Sequence, residues 1–205
     1  MVEVIKEKKL KILITGSNGM LGSDIVDELK GFELFPFDKN ELDITNNKSV
    51  LNKITEIKPN FVINCAAYTD VDGSETNKET ALQVNAYGAK NVAEACNKIN
   101  AIMMHFSSDY VFDGTSENGY KEDAEKNPIS HYGYSKSLGE DLIIKSTKKY
   151  FIIRSSWLFG KNGKNFVEAI LKKSNENEIK VVNDQLGSPT YTKDLAKATK
   201  EFLMQ

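Results

Sequence analysis

The chain has 205 residues, 40% of them hydrophobic and 27% charged, with a formal net charge of -2. That length holds one domain, or one domain with a small appendage, and the composition is that of a globular protein, neither disordered nor membrane-embedded. The near-neutral charge removes any global electrostatic case for nucleic acid, no apolar run approaches transmembrane length, and Met1–Lys9 is too polar for a signal peptide. A cytoplasmic location, with no nucleic-acid partner and no membrane, is therefore expected. Cys65 and Cys96 read as buried thiols of a reducing compartment, and neither has a partner at metal-ligand spacing, so no metal is expected.

In chain order, Leu10–Ile14 is a short apolar run that predicts a buried strand. Three glycines follow at spacing three, in the frame Gly16-Ser17-Asn18-Gly19-Met20-Leu21-Gly22, and a helix is predicted from there through Lys30. A strand, glycine turn and helix in this order aim backbone N–H groups and the positive helix end at a pyrophosphate. The spacing departs from the standard G-x-G-x-x-G, and a turn serving geometry alone is the alternative. A second strand is predicted at Glu33–Phe37. Asp38 at its end stands where such folds bind a ribose hydroxyl, while Lys39 would offset a 2′-phosphate, so NADH and NADPH both stay open.

In Leu42-Asp43-Ile44-Thr45, Asp43 is placed to meet an adenine edge and Thr45 is expected to cap a helix over 46–57. A third strand, Phe61–Cys65, leads into the small residues Ala66 and Ala67 and then Tyr68, on the ligand side of an open α/β sheet. A long helix is predicted over Thr80–Lys98. It carries Asn85 on an apolar face, either as a satisfied buried amide or ordering a water or backbone group beside a site. Strand four, Ala101–Phe106, ends at Ser107-Ser108-Asp109. A long loop, 110–127, and a helix through Lys136 to Lys145 follow. Strand five is Tyr150–Arg154; then come a helix over Asn165–Lys173, a short strand at Ile179–Val182 and a last helix near Lys193. On that helix, Leu195, Ala196, Ala198 and Phe202 are expected to be left partly uncovered or covered by another protomer. The alternation of strands and helices predicts an α/β fold, a Rossmann-like doubly wound parallel sheet.

Tyr132 and Lys136 are one helical turn apart and share a face. An ammonium beside a phenol favours phenolate, so the tyrosine pKa is expected to move down toward neutrality and suit proton donation to a forming alkoxide. Ser108 is the first candidate for the hydroxyl that polarises the carbonyl, Ser107 the second, and Tyr134 the alternative donor.

Several blocks together resemble the dTDP-4-dehydrorhamnose reductase family, in the nucleotide-sugar branch of the extended short-chain dehydrogenase/reductase superfamily. They are Gly16–Gly22, Leu42–Thr45, Asn64–Asp72, Ser107–Gly114, Tyr132–Lys136, Arg154–Trp157 and Asp184–Thr190, in family order. The resemblance implies NAD(P)H-dependent reduction of the C4 ketone of dTDP-4-dehydrorhamnose to dTDP-rhamnose, with NADPH or NADH as cofactor and a dTDP-sugar as partner. It implies that Gly16, Ser17, Asn18, Gly19, Met20, Leu21 and Gly22 hold the pyrophosphate and that Asp43 and Ile44 lie near the adenine. Ala66, Ala67 and Tyr68 would line the cofactor, with Asp38 and Asn85 grouped with them. Ser108, Tyr132 and Lys136 would be catalytic, Lys136 also touching the nicotinamide ribose, and Ser108, Asp109, Tyr110, Val111 and Trp157 would meet the substrate.

Two departures from the family are visible. Ser108 stands where the family usually has threonine, which keeps the hydroxyl. Family members also continue well beyond Gln205. Residues 9–160 are therefore read as the NAD(P)-binding domain and 161–205 as a partial C-terminal substrate-binding region, with cofactor binding but weak sugar turnover expected. The region beyond supplies dimer contacts in some members, which makes a homodimer a further expectation. Two other functions remain open: a nucleotide-sugar epimerase or dehydratase, against which Asp184–Thr190 argues, and a non-catalytic regulatory subunit resembling the beta subunit of methionine adenosyltransferase.

Overall fold

The computed structural model describes residues 9–176 and 178–204, so most of the polar N-terminal stretch lies outside the described residues. Strands β1 (Lys11–Thr15), β2 (Glu33–Phe37), β3 (Phe61–Asn64), β4 (Ile102–Ser108) and β5 (Tyr150–Ser155) form one parallel sheet in the order β2-β1-β3-β4-β5. Successive side chains of a strand point to opposite faces, and both faces of this sheet are covered. Ile12 and Ile14 pack with α1 (Met20–Glu28) and α8 (Thr192–Leu203), through Leu21, Ile25, Ala196 and Leu203. Leu13 and Val62 pack on the other side against α2 (Asn47–Ile57), α5 (Ala89–Ile99) and α6 (His131–Ser146), through Val50, Ile54, Val92, Cys96 and Ile143. Double coverage is why the central strands read as unbroken apolar runs. The remaining pieces are α3 (Gly73–Thr76), α4 (Lys78–Leu82), α7 (Phe166–Lys172) and a small two-stranded sheet of β6 (Leu158–Phe159) with β7 (Thr190–Tyr191).

The chain passes from β1 outward to β2 and then returns to β3 on the other side of β1. The strand order reverses there, and ligands of open α/β sheets bind beyond the strand ends at such a point.

Four expectations change. The long helix over Thr80–Lys98 is interrupted: between α4 and α5, Gln83–Gly88 winds as a π-helical stretch, a feature frequent at functional sites. Asn46, and not Thr45, caps α2, its side chain accepting from the Ser49 N–H at 3.0 Å. No strand forms at 179–182, where Val181 and Val182 are 52% and 65% exposed. An apolar dipeptide without a neighbouring strand has no ladder to join. Ala196 is buried against α1, whereas Ala198 and Phe202 are exposed and Leu195 is half-covered. Cys96 is buried and Cys65 partly so, and enclosure of the sulfurs pushes both thiols up to about 12.

Candidate active site

The glycine turn is built into the switch point. Gly16 has φ +66, and a Cβ there would come within 2.7 Å of the Ala66 nitrogen. The turn is held from both flanks: the Ser17 N–H donates to the Phe37 carbonyl at 3.1 Å, and the Cys65 N–H donates to the Thr15 carbonyl at 3.1 Å. A Cβ at Gly22 would collide with the Gly16 carbonyl, so this glycine lets α1 close onto the turn itself. No side chain caps α1 at Gly19, and its first turn carries no acidic residue. The first-turn N–H groups of a helix have no intrahelical acceptor, and this end offers positive potential with no anion of its own. Residues of this shape and charge fit a dinucleotide pyrophosphate. Ser17 and Leu21 are buried, so their contribution there is through the backbone.

The neighbouring loops converge on the turn. Asp38 accepts from the Asn18 side chain at 2.9 Å and from the N–H groups of Asn40 and Glu41, which ties the end of β2 to the glycines. The Asp43 carboxylate accepts from the N–H and hydroxyl of Thr45. Ile44 is 3% exposed, in the core. Ala66, Ala67 and Tyr68 are half-buried beyond β3. Asn85 is not free to touch a ligand. It is 1% exposed, its oxygen accepts from the Tyr68 N–H at 2.8 Å, and its nitrogen donates to the Tyr68 carbonyl and the Ser135 hydroxyl. It holds the Tyr68 backbone in place from within the π-helical stretch.

The end of β4 supplies the hydroxyl. Both serines reach α6, and position along the strand end separates them. The Ser107 hydroxyl donates to Glu140, deeper along the helix, while Ser108, the last residue of β4, lies near Tyr132 at the helix start. The Ser108 hydroxyl donates to Asp109 and accepts from the Tyr110 N–H. Tyr110 stands edge-on to Tyr132, ring centroids 5.5 Å apart. Val111, expected at the substrate, is fully buried, and its carbonyl accepts from the Asn127 N–H; it anchors the long loop instead. Tyr134 is exposed, its ring beside His131.

The electrostatics of the tyrosine differ from the simple expectation. Burial pushes the Tyr132 phenol up to about 12; the nearby Ser108 hydroxyl works the other way, and the Asp109 charge adds to the rise. Lys136 is 2% exposed, and its ammonium donates to the Phe106 carbonyl at 2.7 Å. Burial brings it down to about 8, against opposing contributions from Glu140 and Cys65. An ammonium engaged by a buried carbonyl does not set the phenol's proton affinity here; desolvation does.

Trp157 lies just beyond β5, whose Ser155 pairs with Ser108 in the sheet. It has φ +46, and its indole packs over Gly187. The Ser156 hydroxyl donates to the Ser188 carbonyl at 2.7 Å. The two distant blocks Arg154–Trp157 and Asp184–Thr190 therefore fold onto each other, closing an apolar cleft of about 140 Å³ between Trp157, Phe159, Phe166 and Pro189.

Sequence reasoning overlooked the polar groups under the site. Thr15 donates to Asn64 at 2.6 Å, Asn64 meets His105 at 3.0 Å, and His105 Nε2 is buried with no partner among the described residues. Burial, with the nearby Lys136 charge, holds His105 well below the ordinary histidine range and neutral. Glu140 and Arg154 were equally unassigned, although Glu140 shares the spacing of four that singled out Tyr132 and Lys136.

The family described as RmlD substrate binding domain matches residues 10–205. The spore coat polysaccharide biosynthesis protein SpsK of Bacillus subtilis (strain 168) is 43% identical over 191 residues, which is 92% of this chain and 68% of that protein. A dTDP-4-dehydrorhamnose reductase of Aggregatibacter actinomycetemcomitans is 42% identical over 190 residues, 91% of this chain and 65% of that protein. The crystal structure of dTDP-4-dehydrorhamnose reductase from Bacillus anthracis str. Ames in complex with NADP aligns with a TM-score of 0.93 at 43% identity, covering 96% of this chain and 71% of that one. The chain spans about two thirds of the length of these curated relatives.

Proposed function

Because this chain belongs to the RmlD substrate binding domain family, we propose that it takes part in the NADPH-dependent reduction of the C4 ketone of dTDP-4-dehydrorhamnose to dTDP-rhamnose. The observation that carries this reading is the meeting of Ser108 and Tyr132 beside buried Lys136, on strand and helix ends next to an uncapped glycine turn. NADPH is favoured over NADH because the Bacillus anthracis reductase was solved with NADP. Gly16, Gly19 and Gly22 would hold the pyrophosphate with the α1 N-terminus, Asp38 and Asn18 would meet the adenosine ribose, and Ala66 to Tyr68 would line the cofactor. When bound, the nicotinamide supplies the hydride that reduces the carbonyl carbon.

The proton is Tyr132's to give. With its phenol pushed up to about 12 it is neutral at physiological pH and carries the proton that the forming C4 alkoxide takes. Ser108 would donate a hydrogen bond to the carbonyl oxygen and orient it. Lys136, one helical turn from Tyr132 on the same face, would lend its charge to the phenolate once the proton has left. Asp109, Tyr110 and Trp157 would bound the sugar nucleotide. In the same reading residues 9–160 together with α8, which packs on β1 and α1 through Ala196 and Leu203, are the cofactor domain, the segment 161–191 belongs to the sugar-binding region, and the protein is a cytoplasmic homodimer. No helix among the described residues is long and apolar enough to cross a membrane.

Calorimetric titration with NADPH and NADH, followed by the loss of NADPH absorbance on adding dTDP-4-dehydrorhamnose, tests this reading. Binding of NADPH and sugar-dependent oxidation are expected. A chain that binds neither dinucleotide refutes it.

A further inference from the structure

Glu140 has no role in the proton transfer above, yet no surface of it is exposed. It follows Tyr132 and Lys136 on α6 at successive intervals of four, so the three share one helix face. Its carboxylate receives Arg154 Nε at 3.0 Å and Nη2 at 2.8 Å, the Ser107 hydroxyl at 2.5 Å, and Lys126 Nζ at 3.3 Å. Arg154 also donates to the Glu122 carbonyl, and Lys126 pairs with Asp141 at 2.7 Å. Burial alone would push the Glu140 carboxyl up. Hydrogen bonds from Arg154 and Ser107 and the charges of Arg154 and Lys126 outweigh it and hold the group below its ordinary value, as a carboxylate.

An ion network of this kind is not explained by stability, because desolvating the charges offsets most of their attraction and apolar replacements are often as stable. What the network grips is more telling. Ser107 sits between Phe106, whose carbonyl takes the Lys136 ammonium, and Ser108, the partner of Tyr132. Arg154 is the β5 residue paired with Ser107. The titratable groups whose charge is felt at Lys136, or that feel its charge, are Glu140, one turn on along the same helix, Cys65 beyond β3 and His105 on β4. Cys65 is a neutral thiol and His105 a neutral imidazole, which leaves Glu140 as the anion.

We propose that Glu140 is a positioning residue of this site, fastening α6 to the ends of β4 and β5 through Ser107 and Arg154 and holding a carboxylate one helical turn from Lys136 on the same buried face. The relevance to turnover rests on the reductase reading; the effect on Lys136 does not.

The test is a pH titration of the Lys136 side chain by NMR in the whole chain labelled with ¹³C-lysine, the resonance assigned by its loss in Lys136→Met. The parent midpoint is expected at about 8. It should fall by about one pH unit in Glu140→Gln, where the counter-charge is gone, and return toward the parent in Glu140→Asp. It should rise in Lys126→Met, which removes a cation competing for the same carboxylate. The opposite signs separate an electrostatic role from loosened packing. An unchanged midpoint in Glu140→Gln overturns the proposal. If that variant does not fold, a midpoint in Lys126→Met that fails to rise overturns it equally. No sugar turnover is read, so failure of the reductase reading would leave the expected shifts in place, and missing shifts would leave that reading standing.

Discussion

Lys136→Met should stabilise the protein while removing its proposed function. Lys136 is 2% exposed, and burial takes its ammonium from 10.5 to about 8. That difference corresponds to about 3 kcal/mol of folding free energy spent on keeping the group charged indoors. Methionine follows the same unbranched path through the core and carries no charge, but it leaves the Phe106 carbonyl without its donor, a loss of about 1 kcal/mol. The net expectation at pH 7 is a gain of about 2 kcal/mol. The sign of the pH dependence follows from the lowered pKa. Below about 8 both folded and unfolded chains are protonated and the penalty is complete. Between about 8 and 10.5 the folded chain has shed the proton that the unfolded one retains, so the penalty fades as pH rises. Urea unfolding of parent and variant, compared at pH 7 and again at pH 10, reads the effect directly. The comparison at each pH cancels the raised Cys96 thiol and the raised Tyr132 phenol, which titrate in both chains. A variant less stable than the parent at pH 7, or one whose advantage is as large at pH 10, would refute the reasoning.

Other consequences are open to direct measurement. Tyr132→Phe should lower sugar-dependent NADPH oxidation by ~10²–10⁴ with cofactor affinity unchanged in calorimetry; equal turnover would mean that the proton comes from elsewhere. Gly16→Val places a branched side chain at φ +66 and against Ala66. It should cost about 3 kcal/mol in urea unfolding and abolish dinucleotide binding. Thr192→Val removes a buried hydroxyl that donates to Asp24 at 2.5 Å between α8 and α1. A loss of about 1–3 kcal/mol is expected, and a neutral result would show that the α1–α8 contact is held by its apolar residues alone. Asn85→Ala should weaken NADPH binding in calorimetry without touching it, because the Tyr68 backbone loses both of its partners.

The local part of the fold was written in the residues. The apolar runs of β1, β3 and β4, the glycine spacing before α1, and the interval of four between Tyr132 and Lys136 are short-range patterns, and backbone periodicity alone turns them into strand, turn and shared helix face. What tertiary structure decided is everything that depends on residues far apart in the chain. The seating of α6 along the end of β4 brought Ser108 near Tyr132 and Ser107 to Glu140. A core that closes over Lys136 lowered its proton affinity and turned its ammonium to the Phe106 carbonyl, so the phenol rose where a simple ammonium–phenol pair would have fallen. The winding at Gln83–Gly88 and the packing of Trp157 on Gly187 likewise have no local signature. Spacing along a chain places side chains on faces. Proton affinity and hydrogen-bond choice are set by desolvation and by partners brought in from 30 or more residues away, as Phe106 is to Lys136, and those exist only once the sheet has formed.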